Sequence, residues 1–236
     1  MRNLIHPTAI IDPKAELGIN NFIGPFCYIG PDVIIGDENR IEAYVSIGTA
    51  AEHRNYFREP PGPVRIGSNC VIREFVTING GTVSVTRLGD SVVMLRGSHV
   101  GHDATIRNKA NLSCNVLVGG HSIIGEGANL GLSAAVHQFR SVGAFAMVGM
   151  NSTVTRNVPP FVVAFGSPCE GQKVNRVGLQ RSGLPDGDLI LFENWYFASK
   201  DRLEHPLAIK HIYQSFVEVY TKDCEKVAGP HQKAAA

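Results

Sequence analysis

The stretch VGHDATIRNKANLSCNVLVGGHSIIGEGANLGLSAAVHQF, residues 100–139, carries an aliphatic residue at every sixth position: Val100, Ile106, Leu112, Val118, Ile124, Leu130 and Val136. A helix repeats its apolar face about every 3.6 residues and a strand every two, so a period of six reads as a short strand followed by a corner. Outward from this stretch the same phase runs from Leu88 to Val154. It is met again at Ile66, Ile72 and Ile78, and from Ile5 through Ile23 and Ile35 to Ile47. Two positions earlier the residue is usually small, as at Cys27, Ala104, Ala110, Ala128 and Ala146, which suits a narrow interior. Three such sides close an 18-residue coil of a triangular prism, a mainly β, parallel β-helix over residues 1–165. Glycine often follows the aliphatic residue and is expected to relieve the corner by adopting backbone angles that other residues avoid.

Two segments interrupt the period. TAAEHRNYFREPPGPVR (49–65) is polar and proline-rich, and NGGTVSVTR (79–87) carries a Gly-Gly turn signal. Both are expected to project as loops from an edge of the prism, where solenoids commonly build binding surfaces. After Val154 the pattern stops at Asn157-Val158-Pro159-Pro160. Apolar residues such as Ile209, Ile212 and Phe216 then recur at helical spacing, so residues 166–228 are expected to form a C-terminal helical region and 229–236 a disordered tail.

Composition narrows the functional classes. A formal net charge of +1 over 236 residues argues against nucleic acid as a partner. Five scattered cysteines without a CxxC pair indicate neither a disulfide framework nor a zinc ribbon. Cys27 and Cys70 fall on the small inward position and read as packing. The N-terminus lacks a signal-peptide core and no long apolar run is present, so a cytoplasmic protein without a membrane span is expected.

Stacking at 18 residues places Gly101, His102 and Asp103 beneath Gly119, Gly120 and His121, and these beneath His137, Gln138 and Phe139. Four of the nine histidines, His99, His102, His121 and His137, thus gather in one window. An imidazole titrates near neutral pH, and an adjacent carboxylate can hold its tautomer, so His102 with Asp103 suits a general base. Adjacent side chains on a strand point oppositely, so their contact depends on the corner. The Gly120 N–H, one coil above, is placed to face a developing oxyanion. The combination suggests acyl transfer. A zinc site built from the same histidines is the competing use and needs three convergent ligands with an open position; no metal is assigned.

The segments HPTAIIDPKAELG, IGPFCYIGP, HVGHDATIRN, VGGH, AAVHQF, VPPFVVAFGSP and VNRVGLQRSG together resemble the UDP-N-acetylglucosamine O-acyltransferase family of lipid A biosynthesis, over nearly the whole chain. The resemblance implies a left-handed β-helix, a homotrimer with clefts between subunits, an acyl carrier protein thioester as donor, a UDP-sugar as acceptor and no cofactor. It makes His102 the general base, Asp103 its support and Gly120 the oxyanion donor. His99, His121, His137, Gln138, Asn175 and Arg181 correspond to substrate-binding positions, and Met150 to the residue that limits acyl-chain length. The chain departs from the family at Asn79, where a histidine is usual, at Glu52-His53, where a Gln-Asp pair recognises the sugar, and at Val177 and Ser182. These departures leave two alternatives open: a divergent paralogue with another acceptor, or a hexapeptide-repeat protein that binds nucleotide sugar or metal without acyl transfer.

Overall fold

The computed structural model describes residues 2–56 and 58–183. Each aliphatic position of the six-residue period lies on its own short strand, from Leu4–Ile5 to Thr153–Val154. The strands sort into three parallel sheets, which begin respectively at Leu4–Ile5, Ile10–Ile11 and Glu16–Leu17. Val100 pairs with Val118 and Val118 with Val136, the 18-residue register expected for stacked coils. From Ile23 onward every aliphatic position is buried, whereas Ile5, Ile11 and Leu17 in the first described coil are more open to solvent. Each buried aliphatic side chain contributes about 1.5–3 kcal/mol, so the prism gains stability coil by coil.

The glycines do not serve the corners as expected. Positive φ falls mostly on other residues, among them Asn20, Glu38 and Lys109 on one edge, Phe26, Tyr44 and Phe75 on a second, and Asp103, His121 and Phe139 on the third. Glycine after the aliphatic residue answers instead to close approach between coils. A Cβ on Gly119 would stand 2.7 Å from the Gln138 nitrogen, and one on Gly131 2.6 Å from the Met150 nitrogen.

An asparagine rail replaces the small inward residue in the first coils. Asn21 Nδ2 donates to the Gly36 carbonyl, and Asn39 Nδ2 to that of Gly67. Their side-chain oxygens accept the backbone N–H groups of Asn39 and Cys70 in the next coil. Buried amides are tolerated here because both ends are bonded. Cys27 and Cys70 are buried as packing residues, and burial pushes the Cys70 thiol up to about 11.

Both interruptions are present, trimmed by strand ends to residues 50–63 and 80–85. The C-terminal boundary is corrected. Residues 166–175 are not helical: strand Val162–Phe165 joins the first sheet, and Glu170–Val174 returns antiparallel to it. The returning strand covers a sheet edge that would otherwise leave a row of unpaired backbone groups. A helix follows at Arg176–Arg181; the helices expected beyond Leu184 and the 229–236 tail lie outside the described residues.

Asn39→Ala is expected to lower stability by about 1–3 kcal/mol, since it strands the Cys70 N–H and the Gly67 carbonyl inside the prism. Urea unfolding measures this, with an unchanged midpoint as the contrary result.

Candidate functional site

Both insertions connect a strand of the second sheet to one of the third: Ser46–Thr49 to Val64–Ile66, and Thr77–Asn79 to Thr86–Leu88. The turns holding His102-Asp103, Gly120-His121 and Gln138-Phe139 connect the same two sheets one coil after another. Loops and histidines therefore share one edge of the prism.

The corner decides whether His102 meets Asp103. Asp103 has φ +61°, in the left-handed region, and this turns its side chain to the same side as that of His102. His102 Nδ1 lies 2.7 Å from Asp103 Oδ2, with the two side chains 9% and 0% exposed. His121 Nε2 lies 3.6 Å from the same oxygen. On the far side the 80–85 insertion wraps the carboxylate. Oδ1 accepts the backbone N–H groups of Thr82, Val83 and Ser84 at 3.0, 3.1 and 2.7 Å, and the Ser84 hydroxyl at 3.0 Å. The Thr82 hydroxyl donates to Oδ2 at 2.6 Å.

Burial alone raises the pKa of Asp103, but the hydrogen bonds from His102, Thr82 and Ser84 prevail and hold it well below the usual carboxylate range. An ionised Asp103 accepts the proton on His102 Nδ1, which leaves Nε2 as the basic nitrogen. Gly120 stands over that nitrogen: a Cβ there would lie 2.8 Å from His102 Nε2, so a side chain would crowd the base. The Gly120 carbonyl accepts from Phe139 N, while its N–H donates none of the backbone hydrogen bonds found among the described residues. A basic ring nitrogen and a backbone N–H outside the backbone ladder thus lie close together.

His102, Asp103 and His121 also offer three ligand atoms within 4.8 Å of one another. Asp103 Oδ2 is already engaged by the Thr82 hydroxyl and by His102 Nδ1 at hydrogen-bond distances, so an ion entering there would have to displace both.

Five rings run through the site. Tyr56, His53, His102, His121 and Phe139 follow one another at centroid spacings of 5.3, 5.7, 5.0 and 4.6 Å. His53 thus brings the 50–63 insertion into edge contact with His102. Asn79 ties down the start of that insertion, its Nδ2 donating to Thr49 Oγ1 at 3.1 Å and to the Ala50 carbonyl at 3.2 Å. His99 pairs with Thr77 Oγ1 at 2.8 Å; burial lowers its pKa, with Glu52 opposing the shift and His102 adding to it.

The other sequence-derived positions are dispersed. His137 and Gln138 are exposed on the same edge, with the His137 Nδ1 bonded to the Gln138 carbonyl. Met150, 66% exposed, stands on the edge between the first and second sheets, above Leu132. Asn175 is fastened at the edge between the third and first sheets, its Nδ2 donating to the Phe145 carbonyl at 2.8 Å, and Arg181 is exposed in the last turn of the short helix. Sequence reasoning missed Thr82 and Ser84; a Thr-x-Ser after Gly-Gly is an ordinary loop composition until the carboxylate it faces is known.

Residues 14–49 match the bacterial transferase hexapeptide (six repeats) family. The acyl-carrier-protein–UDP-N-acetylglucosamine O-acyltransferase of Pseudomonas putida is 35% identical, over 97% of this chain and 92% of its own. The enzyme of the same name from Stutzerimonas stutzeri is 38% identical, over 82% and 83%. Among solved structures, the Francisella novicida UDP-N-acetylglucosamine acyltransferase superposes with a TM-score of 0.77 at 28% identity, covering 94% of this chain and 88% of that one. LpxA of Acinetobacter baumannii gives 0.76 at 25%, covering 98% and 92%.

The depressed Asp103 pKa has a stability consequence with a definite sign. A carboxylate stabilised as the anion contributes fully above its unfolded value of about 3.9, and that contribution is lost as pH falls towards the folded value. Acid unfolding of the wild type is therefore expected to be steeper below about pH 4 than that of Asp103→Asn, because the amide has no charge to lose. Parallel acid-unfolding curves followed by circular dichroism would contradict this.

Proposed function

Because the chain belongs to the acyl-carrier-protein–UDP-N-acetylglucosamine O-acyltransferase family, we propose that it moves a 3-hydroxyacyl chain from acyl carrier protein to the 3-hydroxyl of a UDP-linked N-acetylglucosamine-type sugar, the first step of lipid A synthesis. One observation carries the reading: a histidine held at Nδ1 by a buried carboxylate, with its Nε2 facing the space below the Gly120 amide.

The chemistry follows from that geometry. His102 Nε2 takes the proton of the sugar hydroxyl as its oxygen attacks the thioester carbonyl carbon. Asp103 keeps the proton on Nδ1 and stabilises the imidazolium. The carbonyl oxygen becomes an oxyanion and is met by the Gly120 N–H. Collapse of the tetrahedral intermediate breaks the carbon–sulfur bond, and the imidazolium returns the proton to the leaving thiolate, so an ester and a free thiol are released. No cofactor enters this balance, and no resident metal is assigned a role.

His99, His121, His137 and Gln138 are proposed to line the substrate space on this edge. Asn175, Arg181 and Met150 belong to other edges of the same protomer, or to the short helix Arg176–Arg181. We assign them to a cleft formed with neighbouring copies in a homotrimer, where edges of different subunits meet. Asn175 and Arg181 would hold nucleotide phosphates and donor, and Met150 would cap the acyl groove. A cytoplasmic location accords with the donor; among the described residues no helix is long and apolar enough to cross a membrane.

A second reading, that the acceptor differs from the usual sugar, is favoured by a specific contact. His53 packs edge-on against His102 and Glu52 acts electrostatically on His99, so the 50–63 insertion brings an imidazole and a carboxylate to the acceptor side. Assaying acyl carrier protein thioesters against a panel of UDP-sugars separates the two readings.

His102→Ala is expected to lower turnover by about two to four orders of magnitude while fold and assembly persist, as judged by circular dichroism and sedimentation. Activity equal to wild type would remove His102 from its role. Met150→Gly is expected to shift preference toward longer acyl donors, because it deletes a bulky thioether from the groove; an unchanged chain-length profile would end that assignment.

A further inference from the structure

Three successive amides of the 80–85 insertion converge on a single oxygen, Asp103 Oδ1, and the Ser84 hydroxyl joins them. The Thr82 hydroxyl takes the other oxygen, which also faces His102 Nδ1. A run of backbone N–H groups folded around one atom is an anion nest, and here its occupant is a side chain of the same protomer. Gly81 permits the fold-back, since any Cβ there would collide with the Ser84 carbonyl. From the other side, the Asp103 N–H donates to Thr86 Oγ1 at 2.8 Å. A carboxylate held only by its histidine is free to rotate about its last torsion, whereas one whose two oxygens are separately bonded is not.

The orientation matters because two imidazoles compete for Oδ2: His102 at 2.7 Å and His121 at 3.6 Å. We propose that Thr82 and Ser84 are positioning residues of the reaction: by clamping both oxygens of Asp103, they hold His102 in its Nδ1–H tautomer and leave Nε2 as the base beneath Gly120. This rests on the reading of His102 as general base, and it gives the 80–85 insertion a task inside the catalytic machinery. Thr82 and Ser84 touch no reacting atom and act through Asp103.

The test uses full-length protein with ¹⁵N-labelled histidine, at a pH where imidazoles are neutral, so that each His102 tautomer is read from its ring nitrogen shifts. Wild type is expected to show the Nδ1–H form. Thr82→Val/Ser84→Ala is expected to show a mixture enriched in Nε2–H, with kcat lowered about tenfold or more and KM for both substrates within about twofold. Thr82→Ser, which retains a hydroxyl, should keep the wild-type tautomer and rate. The single variant Thr82→Val supplies the same readings if the double variant does not fold. Retention of the Nδ1–H tautomer in Thr82→Val and in the double variant overturns the proposal. So does an equal loss of kcat when the substitutions are repeated in Asp103→Asn, since the effect would then not pass through the carboxylate. If the tautomer shifts as expected but wild type transfers no acyl group to any acceptor tested, the clamp stands and the proposed reaction falls.

Discussion

The inter-coil hydrogen-bond ladder is the constraint from which the rest of the molecule follows. Each short strand is too brief to be stable alone, and its backbone groups are satisfied only by the coils on either side. The pairing of Val100 with Val118 and Val136 repeats one register across the sheet and brings residues 18 apart in sequence into contact. The inward aliphatic residues make that register costly to leave, because a slip by one position would turn the core outward. What sits on the outer edge of one coil is thereby fixed against the edge of the next.

On that frame the site is assembled by departures from regularity. The two interruptions of the repeat leave from the edge that carries His102, and each delivers something to it: the 50–63 insertion brings His53 against the His102 ring, and the 80–85 insertion encloses Asp103. An ionised carboxylate with no exposed side-chain surface would be costly if it were unpaired. It is tolerated because the nest, the Thr82 hydroxyl and His102 together satisfy its lone pairs. The prism supplies rigidity, the insertions supply polarity, and the His102–Asp103 pair sits where they meet.

Asn79 illustrates how such an edge changes without disturbing the prism. It is buried, ties Thr49 and Ala50 through its amide nitrogen, and its Oδ1 has no hydrogen-bond partner among the described residues. The departure noted in the sequence therefore falls on the anchor of the very arm that carries Glu52 and His53. Altered anchor and altered arm form one structural unit, while the His102–Asp103 contact one coil above and Gly120 over it keep a geometry of their own.

Much of this was legible in the amino-acid sequence. The six-residue period determined the prism, the 18-residue stacking and the placing of Gly120 over His102, because a solenoid converts sequence separation directly into spatial position. The period also located both interruptions. Other features depended on backbone angles and on contacts between distant segments, which no local pattern encodes. The left-handed φ of Asp103 turns its side chain toward His102, against the alternation expected of adjacent residues. The asparagine rail, the hairpin at 162–174 and the close-approach role of the glycines emerged only once neighbouring coils were in place. The clamp on Asp103 is the clearest case: Thr82 and Ser84 are unremarkable loop residues in sequence, and they reach the carboxylate only because the chain folds back far enough for three amides and two hydroxyls to close on it.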